Sequence, residues 1–470
     1  MTGGPRMRWT DPFRVPSVWL PPVVLVAILI LVMTLVYFGS VVNPAAHLHG
    51  LPVAVVDQDT GGDIAGRRVD FGERLAAGLI RSPAVSSRLG LHPLTLALTK
   101  RRMGIGKEYA AIVIPPGFTQ SLLTVAGVPS TSPRATVKPT VELLTNPRAG
   151  SLAVSLATAV AQPALADASR EVGQQLVALS STGNAKNAES LLLSDPITLS
   201  TVPYRPLPSH SALGLSAFYI ALLTTFCGFL GGVIVTTSID AVLGYATTEI
   251  GPMWGQRQPV AISRWHTLLA KWVMATGLTV VLTGLMLGVA VGILNMNSPD
   301  FWLLWLLTWF AATVVAIGTL VLFAALGTVG QIVALLVFVY LALASSGGTV
   351  PLDALSGFFR FLANFEPLRQ ILNGTRAILY FGASGKAGLT RAWVASGLGL
   401  LFWMALGILV TTWYDRKHLD RMPPELMAYV DRAVLAYREE THPTDDRASH
   451  NLAERSPAAN DDPPETSTFA

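Results

Sequence analysis

Charge is what this chain has least of. Of its 470 residues only 13% are Asp, Glu, Lys or Arg, about half of the ~25% usual in soluble domains. The net charge of +4 is small for the length and no basic block stands out, so the electrostatic footprint of a nucleic-acid partner is missing. The one cysteine, Cys227, lies inside an apolar run, which excludes an intrachain disulfide. There is no G-x-x-x-x-G-K-[ST] to cradle a nucleotide, no G-x-S-x-G and no H-E-x-x-H. His47 and His49 form an H-x-H with too few ligands for a metal site. Asp57, Asp59 and Asp63 have the look of a calcium loop but lack its closing glutamate, and a solvated turn is the plainer reading. The expectation is a chain with no catalytic residue, no cofactor and no metal: not an enzyme by itself.

What is there instead is a set of long apolar runs, 51% of the chain being hydrophobic. A bilayer core about 30 Å thick needs roughly 20 apolar residues per helix. Val18–Phe38 is one such run; Ala212–Ser238, Trp272–Ile293 and Ala392–Tyr414 are others. The block Phe301–Ser345 holds two more, joined by a tight turn at Gly327-Thr328-Val329-Gly330. Val18–Phe38 exceeds the 7–15 residues of a signal-peptide core, and no convincing small-residue cleavage site follows, so it reads as a retained anchor. The predicted fold is mixed: an α-helical integral membrane protein with six transmembrane helices and one α/β extracytoplasmic domain inserted after the first.

The insert, 39–210, alternates strand and helix signals. Leu51–Val56, Val85–Leu91, Ala110–Ile114 and Val137–Leu144 are strand candidates. Phe71, Leu75, Leu79 and Ile80 have helical spacing; Leu94–Arg102 and Pro116–Val125 are further helices. Gly150–Leu179 reads as a long helix kinked at Pro163, and 180–208 as a loop returning to the membrane.

Basic residues set the orientation. They flank the first run (segment 1–17), occupy 239–271, and follow the last run at Arg416, Lys417 and Arg421. Six crossings put all three on one side, taken as cytoplasmic, with both termini there and 39–210 outside the plasma (inner) membrane. Residues 349–391 should then lie outside, although they carry Arg360, Arg369, Arg376, Lys386 and Arg391. A pair of short interfacial helices would accommodate them. These helices would sit within a five-helix domain, 211–414. In the tail, 415–470, Leu426, Met427, Val430, Val434 and Tyr437 share a helical face. That face suits a helix folded on the protein's own cytoplasmic side, or one lying on the membrane or a partner. From about 441 the acidic, Pro- and Ser-rich composition predicts disorder.

Inside the six runs there is no Asp, Glu, Lys, Arg or His. A proton relay needs titratable groups, so uphill transport would draw energy from a partner, although backbone and hydroxyl oxygens remain as sodium ligands. Gly284, Gly288 and Gly292 repeat every four residues, and Gly228 and Gly232 form a shorter ladder. Such ladders let helix backbones approach, within one chain or across a dimer seam. On this reading Gly288→Leu disturbs packing more than Leu287→Ala. Thr276, Thr279 and Thr283 form a neighbouring stripe: a substrate path, or hydroxyls bonded to their own helix or a neighbour. The segment 247–271, with Glu249, Trp254, Arg257 and Arg264, suits an ordered turn-and-helix element. It is a candidate docking loop for an ATPase, or its arginines anchor helix ends to anionic headgroups.

Four stretches carry a resemblance. "LPVAVVDQDTGG" after the first run and "YAAIVIPPGFTQSLL" (Tyr109–Leu123) resemble the insert of the phage-infection-protein (YhgE/Pip) group. "RQPVAISRWHTLLAKW" (Arg257–Trp272) and "EPLRQILNGTRAILYFG" (Glu366–Gly382) resemble the cytoplasmic turn and external re-entrant segment of the ABC-2-type permease superfamily. The resemblance covers nearly the whole chain up to the acidic tail, although this insert is shorter than in many YhgE/Pip members. It implies an export permease for lipophilic compounds or envelope components, with a separate ATPase and as a homodimer or heterodimer. The other reading it carries is a non-transporting envelope protein, a secretion accessory or phage-docking protein, whose external domain does the work.

Overall fold

The computed structural model describes residues 16–64, 67–126, 138–179, 195–419, 421–422 and 424–441. The basic residues Arg6, Arg8 and Arg14, the strand candidate's Val137, the stretch 180–194 and the tail beyond 441 lie outside the described residues. The chain divides into two units, the first comprising Met1–Val235 with Leu268–Thr411 and the second Thr236–Thr267 with Thr412–Ala470.

In the first unit the insert is built on β1 (Leu51–Asp57), β4 (Leu89–Pro93), β5 (Ala110–Ile114), β6 (Thr140–Thr145) and β7 (Thr198–Pro203), in the order β4-β1-β5-β6-β7, with β2 (Gly62–Ile64) and β3 (Arg67–Val69) paired as a separate two-stranded ribbon. β1 runs parallel to β4 and β5, β5 antiparallel to β6, and β6 parallel to β7. β1 and β5 are central and covered on both faces, which is why they read as nearly unbroken apolar runs. Alternation along β1 sends Leu51 and Val53 into a core with Phe71, Leu75, Phe118, Leu122 and the alanines of the helix Ser151–Leu179. Ala54 and Val56 face the other way, onto Met103 of the helix Leu96–Met103.

Two sequence expectations need correction here. Val85–Leu91 is not one strand: Pro83 at the first helical position starts a short helix, Pro83–Ser86, and pairing begins only at Leu89. The supposed loop 180–208 contains β7, whose Thr- and Ser-rich residues are exposed or half-buried at the sheet edge. Its backbone pairing with β6, rather than any apolar pattern, makes it a strand. The helix Ser151–Leu179 continues through Pro163. Asp57, Asp59 and Asp63 do not gather as ligands. Asp59 accepts hydrogen bonds from the N–H and hydroxyl of Thr119, and Thr119 Oγ1 in turn accepts from Phe71 N–H at 2.8 Å. The turn after β1 thereby pins two helix N-termini. Among the described residues no group of three or more His, Cys, Asp or Glu could hold a metal ion.

Among the described residues five helices, not six, are long and apolar enough to cross a membrane: Leu20–Val41, Ser216–Val242, Arg264–Ile293, Phe301–Leu326 and Leu389–Arg416. The remaining apolar helix, Val329–Ser345, has 17 residues and spans about 26 Å. It ends early because Ser346-Gly347-Gly348 follows, with Gly347 at φ +69°. Phe301–Leu326 is the axis of the bundle, buried continuously from Ala311 to Val321. The second span starts at Ser216 rather than Ala212, after a turn in which His210, Ala212 and Leu213 all have positive φ. Residues 349–391 hold two short helices, Gly357–Leu362 and Pro367–Tyr380.

The second unit contains a hairpin, β8 (Thr248–Ile250) with β9 (Met253–Gly255), where a turn-and-helix was expected. Gly251, at φ +59°, makes the reversal, and Pro259 follows it in an extended stretch up to Ser263. Asp240 takes the Arg421 guanidinium bidentately at 2.6 and 2.8 Å, and that guanidinium also lies over the Tyr245 ring. The helix Pro424–Thr441 closes the described chain.

Candidate functional site

The candidate residues divide into those held by contacts within the fold and those left open or exposed. Thr276, Thr279 and Thr283 return their hydroxyls to carbonyls one turn back, and Thr279 also bonds Thr313 at 2.8 Å. Thr279 and Thr283 are fully buried; Thr279 ties its helix to Phe301–Leu326, and Thr283 bonds back to its own helix. Gly228 and Gly232 make the close approach: a Cβ on Gly228 would lie 2.4 Å from Ala312 O, and one on Gly232 2.9 Å from Thr319. Gly284, Gly288 and Gly292 do not. A Cβ on Gly284 would meet only Trp305, at 3.6 Å, and one on either of the other two no described atom within 4 Å beyond its own turn of helix. From Gly288 to Ile293 the helix takes i→i+5 bonds, so residues four apart no longer stack into one ridge.

In the docking-loop candidate, Glu249 and Arg257 are exposed. Glu249 and Trp254 are cross-strand partners of the hairpin. Arg264 is engaged within its own unit: its Nε donates to Leu419 O at 2.7 Å and its guanidinium lies 4.9 Å from the Tyr414 ring centre. Its backbone N–H donates to the Asp415 carboxylate, which caps the helix start. Arg264 is thereby held within its own unit.

The residues that converge on a cavity come from the segment between the last two apolar helices. Pro367–Tyr380 begins at Glu366, with Pro367 in the first turn where its missing N–H costs nothing. Its strongly amphipathic sequence separates two polar groups. Glu366 and Gln370, four residues apart, face a cavity of about 510 Å³. Its walls include Ala311 and Val314 of the axial helix, Phe338 of Val329–Ser345, and Ser396, Phe402 and Trp403 of the last helix. Glu366 is 4% and Gln370 2% exposed. The Gln370 amide donates to Ala363 O and Asn364 O, which leaves its Oε1 and Glu366 Oε2 buried without a partner. Burial alone pushes the Glu366 carboxyl up to about 8. Leu398, Phe402 and Phe365 at the rim are exposed, so the cavity opens on the outer face of the bundle.

On the helix's other side Arg369, Asn373 and Arg376 meet the insert around a polar cavity of about 180 Å³ that also touches Tyr109. Arg376 donates to Gly348 O, and Arg148 of the insert donates to Tyr380 O at 3.2 Å. Burial lowers Arg369 to about 10. Arg369 and Arg376, which confuse the charge rule in 349–391, therefore serve a junction within the protein. Sequence reasoning missed Glu366. The one signal was that it is the only acidic residue between Asp353 and Asp415.

These features define a multi-pass membrane protein with an α/β domain inserted after its first helix. The chain belongs to the family described as "Protein of unknown function (DUF3533)", whose model matches residues 22–399. No curated protein matches the chain.

Proposed function

We propose that this chain is the membrane subunit of an ABC-2-type exporter, of the phage-infection-protein-like branch, moving lipophilic compounds or envelope components outward. The observation that carries the reading is the cavity beside Glu366, apolar for most of its wall and open at its rim. Its volume falls in the range of about 300–1,000 Å³ typical of small-molecule sites. A mere anchor for the insert has no need of such a space among its helices.

In this reading the short helix Val329–Ser345 makes the return crossing after Phe301–Leu326. Six crossings then leave both termini on the cytoplasmic side of the plasma membrane and the insert outside. Energy comes from a separate ATPase, for which the exposed Glu249 and Arg257 of the cytoplasmic loop offer contacts, and the working form is a dimer. The chain itself catalyses nothing.

Efflux of a fluorescent lipophilic dye from cells, with and without the chain, tests this. Ser396→Phe, which fills the cavity from the last helix, should abolish export while expression and melting temperature stay near wild type. Full activity of Ser396→Phe would sink the transport reading. Rescue of the cellular phenotype by the insert on an unrelated anchor would favour an envelope role for the external domain. Uphill transport by the purified protein in liposomes, given only a pH difference, would overturn the ATPase part.

A further inference from the structure

Two buried oxygens without a partner are an unusual feature beside an apolar space. Leaving a buried polar atom without a partner is costly, and Glu366 Oε2 and Gln370 Oε1 both lack one. Both residues line the same cavity, four positions apart at the start of one helix. Glu366 is the only titratable side chain among the residues lining it. Arg369 and Arg376 lie around the polar junction instead, with Tyr109, and no charged neighbour contributes to the shift at Glu366. The rest of the wall includes the rings of Phe338, Phe365, Phe402 and Trp403, whose faces attract cations. The exposed rim residues Phe365, Leu398 and Phe402 give an apolar approach from the side.

We propose that this cavity is a binding site for a cationic amphiphile, a primary or secondary ammonium on an apolar body. The ammonium donates to Glu366 Oε2 and Gln370 Oε1, and the apolar body lies against the aromatic wall. Resting on the export reading, this names the class of compound exported. Loading is an exchange: the neutral Glu366 carboxyl gives up its proton to water, and the carboxylate left behind pairs with the incoming ammonium. No bond other than that O–H is broken. Below its own pKa the carboxyl holds its proton, and that proton competes with the ligand; above it, competition disappears.

Binding of a dansylated primary alkylamine to the purified full-length protein tests the site without any ATPase. Saturable binding is expected at pH 8.5, weakening about tenfold per pH unit below about 8 as one proton competes. The N-acetylated analogue, which lacks the charge, should bind at least tenfold more weakly. Glu366→Gln should lose most of the affinity and all of its pH dependence. Gln370→Leu should lose less affinity and keep the pH dependence. Ser396→Phe should block binding without touching either acceptor, and serves if Glu366→Gln does not fold. Equal binding of amine and N-acetyl analogue, or wild-type binding by Glu366→Gln or Ser396→Phe, overturns the site. Binding as expected with no export in cells would retain the site and remove the transport reading. Export that Glu366→Gln leaves intact, for amines and neutral dyes alike, would do the reverse.

Discussion

Gly228 and Gly288 belong to the same kind of pattern, small residues four apart on an apolar helix, and they sit in opposite surroundings. At Gly228 the helix Ser216–Val242 lies so close to Phe301–Leu326 that a Cβ would come within 2.7 Å of Val315 Cβ. A Cβ on Gly288 would meet no described atom within 4 Å beyond its own turn of helix. The neighbour Leu287, a residue the pattern ignores, is fully buried in the core of the bundle. A small-residue ladder therefore marks where an approach is sterically allowed. Whether it happens depends on which helix the rest of the fold brings to that face, and here the buried axis Phe301–Leu326 meets one ladder and not the other.

Four substitutions sharpen that contrast. Gly228→Leu should have the largest effect: two backbones must separate, costing about 3 kcal/mol or more, and little folded protein should survive purification. A melting temperature equal to wild type would show that the two helices do not meet as described. Leu287→Ala comes next, at about 2 kcal/mol for the cavity it leaves, read as a lowered thermal midpoint in detergent. Thr279→Val removes the bond to Thr313 and should cost about 0.6 kcal/mol, the usual size for a hydroxyl pair between membrane helices. Gly288→Leu should change the monomer's stability least, by less than about 0.5 kcal/mol. This inverts the order that spacing alone suggests for Gly288→Leu and Leu287→Ala. If Gly288→Leu lowers the midpoint more than Leu287→Ala does, the open face assigned to Gly288 is wrong.

The parts of the fold legible in the sequence are those with a strong local period. Leu51–Val56 and Ala110–Ile114 appear as strands at almost their observed bounds because central strands are buried on both faces. Phe71, Leu75 and Leu79 announce a helix because one face of it is core. β7 was not legible: an edge strand of exposed threonines and serines has no pattern of its own, only a partner. The hairpin Thr248–Gly255, ahead of the helix that starts at Arg264, is not legible for a similar reason, since its pairing is fixed by three residues on each side and a glycine turn.

The candidate site divides in the same way. Apolar composition and run length determined that the chain enters a membrane, where its long helices lie, and that a separate domain follows the first of them. These are transfer energies summed over about twenty neighbouring residues, and they need no tertiary partner. Tertiary structure alone decided that Glu366, outside every apolar run, ends in a cavity walled by two membrane-length helices and the shorter Val329–Ser345, while Thr279 and Thr283, inside one, return their hydroxyls to their own backbone. Its distance in sequence from Ala311 and Trp403 carries no trace of that meeting. A carboxyl's environment is set by what packs against it from elsewhere in the chain, and burial, not its neighbours in sequence, moves its pKa to about 8.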